Sequence, residues 1–450
     1  MLIAYPIHII RAAVMVLMLF AAWPVAAFDI QKVTSPSGLT AWLIEDHRNP
    51  VIAMEMIFKT GAADDPESKQ GLANLLASTL DEGAGELGST AFQSALSEQS
   101  ISLRFKAGAD RFSGALQTLT DKSAAAFELL RLALQRPRFD DDAVNRMRAQ
   151  VMAKIRADQQ NPQGRAWRTW MKSAFPDHPY GRPRNGNLQS VGAITGDDLA
   201  RVTTAGLSRE GLSIGVVGDI TAAQLATVLD QVFADLPANR ALPVVSDQAP
   251  LTTGKIKLLS QDIPQSIIVF GHAGIPWGDP DYFGAMILMQ IMSGGFESRL
   301  MQEVRVKRGL AYGISANLLP RPHSPLVVGS TATRNDKAGE TVNIIRTEWR
   351  KMADQGPSAA EIADAKSYLI GAFPLRFTSS PAIARSLASF QNLGLPIDYP
   401  DKRAALINNV TAADLKRIAQ RLFRERELSF TILGKPSGLS ESDVLQTPAQ

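Results

Sequence analysis

The 450-residue sequence has no cysteine, so a disulfide framework, a thiolate metal site and a cysteine nucleophile are all excluded. Histidine is nearly as scarce. The five are His8, His47, His178, His272 and His323, and no two lie at the short spacing of a ligand pair on one helix. A lone loop histidine of this kind reads as a solvated residue rather than a ligand. No G-x-S-x-G string marks a nucleophilic serine, and no G-x-x-x-x-G-K-[ST] string marks a phosphate cradle. Neither sign of charge is in excess: 47 Lys and Arg against 44 Asp and Glu leave +3. That balance argues against nucleic acid and against an acidic membrane surface as partners.

The N-terminus, by contrast, is distinctive. Arg11 precedes an apolar run at 12–22 (AAVMVLMLFAA), and Val25-Ala26-Ala27 forms a small-residue cleavage site. The run is short for a membrane span of about 20 residues. Two outcomes are open, a signal peptide cut after Ala27 and an uncleaved anchor. Cleavage leaves 450 − 27 = 423 residues, a net charge of +2 once Arg11 is gone, a periplasmic location and no membrane span. Absence of cysteine is compatible with export.

With 45% hydrophobic residues, the rest has material for two or more cores. Residues 39–58 predict a hairpin or meander around a polar turn at 45–50. Helices are expected at 71–80, with leucines at i, i+3 and i+4, and at 91–98, 122–134 and 141–158; a strand is expected at 101–107. The strongest internal signal is a repeat. Residues 195–218 align without a gap on 411–434, with 7 of 24 positions identical by count. Each copy reads as a Thr-capped amphipathic helix followed by an apolar strand, and each closes one of two halves of similar length. These observations predict a duplicated α+β protein: a half at 28–240, a Pro-rich linker at 241–254, a half at 255–440 and a tail at 441–450.

Residues 292–312 (MSGGFESRLMQEVRVKRGLAY) hold the candidate site. Gly294-Gly295 break an apolar helix expected at 283–292. A second helix at 297–308 keeps Leu300, Met301 and Val304 on one face, Lys307 and Arg308 load its last turn, and Gly309 stops it. A strand is expected from 310 to 319. Arg305 and Tyr312 flank this corner. They serve either as a solvated helix end and a packed sheet edge or as side chains facing a cavity.

The Gly-Gly-Phe turn, Ser-Arg-Leu, Val-Arg and Gly-Leu-Ala-Tyr resemble the C-terminal half of the pitrilysin/insulinase-type zinc peptidases, the inverted zincins, which include processing peptidases. HPYGRP at 178–183 also resembles the family, and the resemblance covers nearly all of 28–450. It implies two α+β halves, each a mixed or antiparallel sheet covered by helices, facing each other across a chamber. It also implies that Arg305 and Tyr312 act on bound peptide, as catalytic or as substrate-binding residues. The family's H-x-x-E-H falls on Asn74-Leu75-Leu76-Ala77-Ser78, and its third ligand on Lys154, with a supporting Glu replaced by Met147. Asn74 and Ser78 share a helical face, but neither is an imidazole, Ala77 carries no base, and a protonated lysine has no lone pair. No metal is therefore expected on this chain. Some relatives divide the work between two chains, and this sequence resembles the one without zinc. The implied partners are a homologous H-x-x-E-H subunit, which would carry the zinc, and an unfolded peptide. A non-catalytic scaffold or peptide-binding member is the alternative, and unrelated chemistry a third.

Overall fold

The computed structural model describes residues 29–445; the expected leader with its cleavage site and the last five residues lie outside the described residues. Alternating and continuous apolar runs build two large sheets, beside a two-stranded ribbon of Gly83–Ala84 and Leu87–Gly88. The first contains β1 (Gln31–Thr34), β2 (Thr40–Glu45), β3 (Val51–Phe58), β4 (Ser102–Ala107), β5 (Phe112–Leu119) and β6 (Ser213–Gly218), in the order β1-β2-β6-β3-β5-β4. The second contains β7 (Ile256–Ser260), β8 (Gln265–Ala273), β9 (Ile314–Leu319), β10 (Leu326–Arg334) and β11 (Ser429–Gly434), in the order β9-β10-β8-β11-β7.

The two sheets share one topology. In each, the strand of the repeat, β6 or β11, inserts between two earlier strands. It runs parallel to one (Trp42 beside Gly215, Phe430 beside Ile256) and antiparallel to the other (Met54 opposite Val216, Phe270 opposite Phe430). In each, the edge farther from the repeat strand is formed by equivalent strands paired on one side only, β4 on β5 and β9 on β10. This insertion corrects the hairpin expected at 39–58. Both strands exist, but β6 lies between them. A polar turn marks where a strand ends without saying which strand will pair beside it.

The helices of eight or more residues in the first half are α1 (Leu72–Thr79), α2 (Ser89–Glu98), α3 (Ser123–Gln135), α4 (Asp141–Gln160), α5 (Pro162–Ala174), α6 (Gly196–Gly206) and α7 (Ala222–Phe233). Those of the second are α8 (Tyr282–Ser293), α9 (Ala338–Gln355), α10 (Ala359–Gly371), α11 (Ser380–Asn392), α12 (Tyr399–Asn408) and α13 (Ala412–Leu422). The repeat helices α6 and α13 each begin in a reciprocal cap, Thr195 with Asp198 and Thr411 with Asp414. One core packs Leu43, Met54 and Phe58 under Leu75, Phe127 and Leu199; the other packs Ile268, Phe270 and Ile432 under Leu288, Trp349 and Ile418. Burial of each such side chain stabilises the fold by roughly 1.5–3 kcal/mol.

The opposite sheet faces are covered by exchange. Helix α5, from the first half, lays Trp170, Met171 and Ala174 on Val269, Val328 and Leu433 of the second sheet. Helix α11, from the second half, lays Ala384, Leu387 and Phe390 on Trp42, Ala53 and Val217 of the first. Each also donates a side-chain N–H to a carbonyl of the repeat strand it covers: Trp170 Nε1 to Ser429 at 3.1 Å and Gln391 Nε2 to Ile214 at 2.6 Å. A glycine admits each helix. A Cβ at Gly215 would sit 2.2 Å from the Ala384 carbonyl oxygen, and one at Gly271 would sit 2.7 Å from the Trp170 ring. Residues 241–254 form no helix or strand, yet the segment is held: Gln248 N–H donates to His323 O at 3.0 Å and Leu251 N–H to Ala174 O at 2.8 Å. Among the described residues no helix is long and apolar enough to cross a membrane.

Candidate functional site

The corner between α8 and β9 differs locally from the expected helix and strand. Gly295, at φ +133°, ends the α8 segment, and a short α turn (Arg299–Met301) passes into a π-helical turn (Gln302–Val306). The widening shows in the Lys307 N–H, which donates to Gln302 O, five residues back, at 2.9 Å. Leu300 and Val304 are fully buried and Met301 half-buried, so the expected stripe faces the core. Lys307 and Arg308 both pair with the Glu303 carboxylate, whose pKa they lower. The strand starts at Ile314 rather than 310. Hydroxyls of Thr333 and Thr331 donate to the carbonyls of Leu310 (2.7 Å) and Gly313 (2.8 Å), taking acceptors that a ladder would need.

This irregular segment brings Arg305 and Tyr312 together. The guanidinium carbon of Arg305 lies 4.5 Å from the centroid of the Tyr312 ring and 5.2 Å from that of Phe296. Two aromatic faces therefore hold one cation, by an attraction worth roughly 0.5–1 kcal/mol per exposed pair. Phe296, part of the Gly-Gly-Phe string, has a role beyond the turn that helical periodicity does not reveal. Tyr312 is 86% exposed, at the lip of a cavity of about 430 Å³ between β9, β10 and β8, and among the described residues its hydroxyl has no hydrogen-bond partner. A phenol and a guanidinium presented this way can donate to a carbonyl oxygen or anchor one. Arg299 of the Ser-Arg-Leu string has a different task. It is bidentate to Glu361 on α10 at 2.6 and 2.9 Å, which lowers that carboxyl to about 2.

The positions of the zinc motif do not fit a metal. Asn74 and Ser78 do share a face of α1, but Ser78 Oγ donates to the Asn74 carbonyl at 3.0 Å. Ala77 is buried without a donor, Met147 is a core side chain of α4, and Lys154 on the same helix is exposed. Among the described residues no group of three or more His, Asp or Glu is placed to hold a metal ion. The helix start is capped from a distance: the buried Asp65 carboxylate accepts the N–H groups of Gly71 (2.8 Å) and Ala73 (2.9 Å).

Two histidines correct the expectation of solvated loop residues. His272 is fully buried on β8, its Nε2 accepting from Trp349 Nε1 at 2.9 Å and its Nδ1–H donating to Ala273 O at 2.7 Å. Burial pushes it down to about 4. His178 is buried in the HPYGRP string, where it accepts the Tyr180 N–H and reaches Ser246 O at 2.9 Å. That string also walls a second cavity, which α5 and Arg321 complete.

Fold and site thus define a duplicated α+β protein in which a half-buried Arg305 stacks on an exposed Tyr312 and, among the described residues, no cluster of side chains is placed to hold a metal ion. Residues 40–187 match Insulinase (Peptidase family M16), and residues 193–369 match the Peptidase M16 inactive domain. The chain belongs to the M16 peptidase family. A non-peptidase homolog, YmxG, of Helicobacter pylori is 26% identical over 83% of this chain and 86% of its own. An uncharacterized zinc protease of Rickettsia bellii is 22% identical over 92% and 98%. Among solved structures, a peptidase M16 inactive domain from Pseudomonas fluorescens superposes with a TM-score of 0.84 at 24% identity, over 92% of this chain and all of the other. A Helicobacter pylori protease follows at 0.81 and 17%, over 90% and 100%.

Proposed function

We propose that this chain is the non-zinc subunit of a periplasmic two-chain metalloendopeptidase. It supplies Arg305 and Tyr312 to a peptide whose hydrolysis depends on a homologous H-x-x-E-H subunit. The observation that carries this reading is the Arg305–Tyr312 stack, which presents an exposed phenol at a cavity lip, in a chain where no cluster among the described residues is placed to hold a metal. Zinc in the partner would supply the activated water. This chain's own contribution is to hold the peptide and to direct a guanidinium and a phenol at the carbonyl oxygen that becomes negative. A scaffold or peptide-binding role is the second reading, and the name of the Helicobacter relative as a non-peptidase favours it.

Co-expression with a co-exported H-x-x-E-H homologue, followed by size-exclusion chromatography and peptide cleavage, tests the proposal. The pair should co-elute, zinc should travel with the partner alone, and N-terminal sequencing of the exported chain should begin at Phe28. Arg305→Ala and Tyr312→Phe should each leave pairing intact and lower turnover by roughly 10²–10³ if the group donates in the transition state. A raised Michaelis constant at constant turnover assigns anchoring instead. Arg305→Ala should be the more severe, because charge-assisted hydrogen bonds are about twice as strong as neutral ones. Unchanged kinetics in both variants would leave only the scaffold.

A further inference from the structure

The cavity walled by the HPYGRP string has a volume of about 460 Å³ and is lined by the first half, with Arg321 reaching it from the second. Its lining includes Arg168, Arg182, Arg184 and Arg321, against one lining carboxylate, Asp158, and an apolar floor from Trp167 and Met171. Two of the arginines are tied to the backbone, Arg168 to Asp158 O at 2.9 Å and Arg182 to Asp65 O at 3.3 Å. The other two differ. Among the described residues, the Arg184 and Arg321 guanidiniums have neither a hydrogen-bond partner nor an ion pair. Arg321 is half-buried with its guanidinium carbon 4.7 Å from the Tyr180 ring centroid, and Tyr180 in turn donates to Asp110 at 2.6 Å. Burial lowers the Arg321 pKa, with Asp110 opposing. A cation withdrawn from water and left unpaired favours an anion that can enter.

The cavity is joined to the Arg/Tyr pair. Gln163, on the first turn of α5, lines both this cavity and the one at Tyr312. Tyr312 and Arg321 stand at opposite ends of β9, whose outer edge is unpaired. Roughly nine residues of extended chain, on the order of 30 Å, separate them.

The geometry points to a carboxylate-binding pocket for peptides, in which Arg321 and Arg184 receive either a C-terminal carboxylate or an Asp or Glu side chain. This deepens the peptide-handling reading above and rests on it for the identity of the ligand. The test uses the full chain after its leader and fluorescence anisotropy at low salt, with one labelled neutral decapeptide in three forms: amidated, free C-terminus, and amidated with a single internal Glu. A carboxylate form should bind at least about tenfold tighter than the neutral amide, and salt should erode the difference. Which form gains identifies the source. Arg321→Gln should abolish the preference. Arg184→Gln, at an exposed residue whose loss leaves the fold intact, should reduce it about threefold. Equal binding of all forms, no binding by any, or an undiminished preference in both variants would overturn the pocket. Carboxylate selectivity in this chain alongside unchanged cleavage kinetics in the Arg305 and Tyr312 variants would sink the catalytic reading and leave the pocket standing.

Discussion

At the scale of single residues, the chain uses its few histidines and its paired arginines as fixtures. His272 is held neutral by burial, with Trp349 donating to one nitrogen and its own Nδ1–H bound to Ala273 O. The Arg424 charge lowers its pKa further. Its folded pKa of about 4 lies below the ordinary value near 6.5, so the unfolded chain takes up the proton first as pH falls. The stability it protects is therefore complete above about pH 6.5 and lost progressively toward pH 4. Urea unfolding at pH 7 and pH 4.5 should show the wild type losing roughly 2.5 kcal/mol more than His272→Gln over that interval. Parallel losses in the two proteins would refute the assignment. Neither this site nor the Phe296 support of Arg305 was legible in the sequence. Both depend on which rings fold against them, and a lone His or Phe carries no pattern of its own.

At the scale of elements, periodicity placed the helices from α1 to α4, α8 and both copies of the repeat, and left the stretch from α9 to α12 unread. The leucine stripe of α1 and the Thr caps of α6 and α13 were readable because local spacing determines them. The π turn at 302–306 and the delayed start of β9 were not. The delayed start follows from the Thr333 and Thr331 hydroxyls, which reach Leu310 and Gly313 from a neighbouring strand. Nor did the apolar faces of α5 and α11 announce that each lies on the sheet of the other half; amphipathicity specifies a buried face but not its partner. Gly215 marks one of these contacts and gives a sharp test. Any side chain there collides with backbone, the Ala384 carbonyl at 2.2 Å and the Ala388 nitrogen at 2.7 Å, which no rotamer change can relieve. Gly215→Val should cost about 3 kcal/mol, at the upper end for overpacking, and should expose α11 to limited proteolysis. Gly371→Ala, where an added Cβ meets nothing within 4 Å, should stay within about 0.5 kcal/mol of wild type. A Gly215→Val protein as stable and protease-resistant as the Gly371 variant would mean that α11 does not need its present seat.

At the scale of the whole molecule, duplication and exchange work together. The repeat told that two similar halves exist, and their sheets do share one strand order, but the halves are not independent. Without residues 255–440 the first sheet loses Leu387 and Phe390 from over Trp42 and Val217, and without 28–240 the second loses Trp170 from over Gly271 and Val269. Each half alone would then expose a large apolar face, of the kind that monomers rarely leave open. The whole chain should therefore unfold in one cooperative transition, with coincident near- and far-ultraviolet circular dichroism curves, despite having two cores. A fragment ending at 240 and one starting at 255 should each lack fixed tertiary signals when expressed singly. Expressed together, with the linker cut, they should assemble into a 1:1 species with native spectra, because the held linker contributes only a few hydrogen bonds beside the exchanged helices. If either fragment instead gives a cooperative, native-like monomer, exchange is not what couples the halves. The halves would then be free to separate along that seam, and the position of Arg305 and Tyr312 relative to the first sheet would be set by a bound partner rather than by this chain.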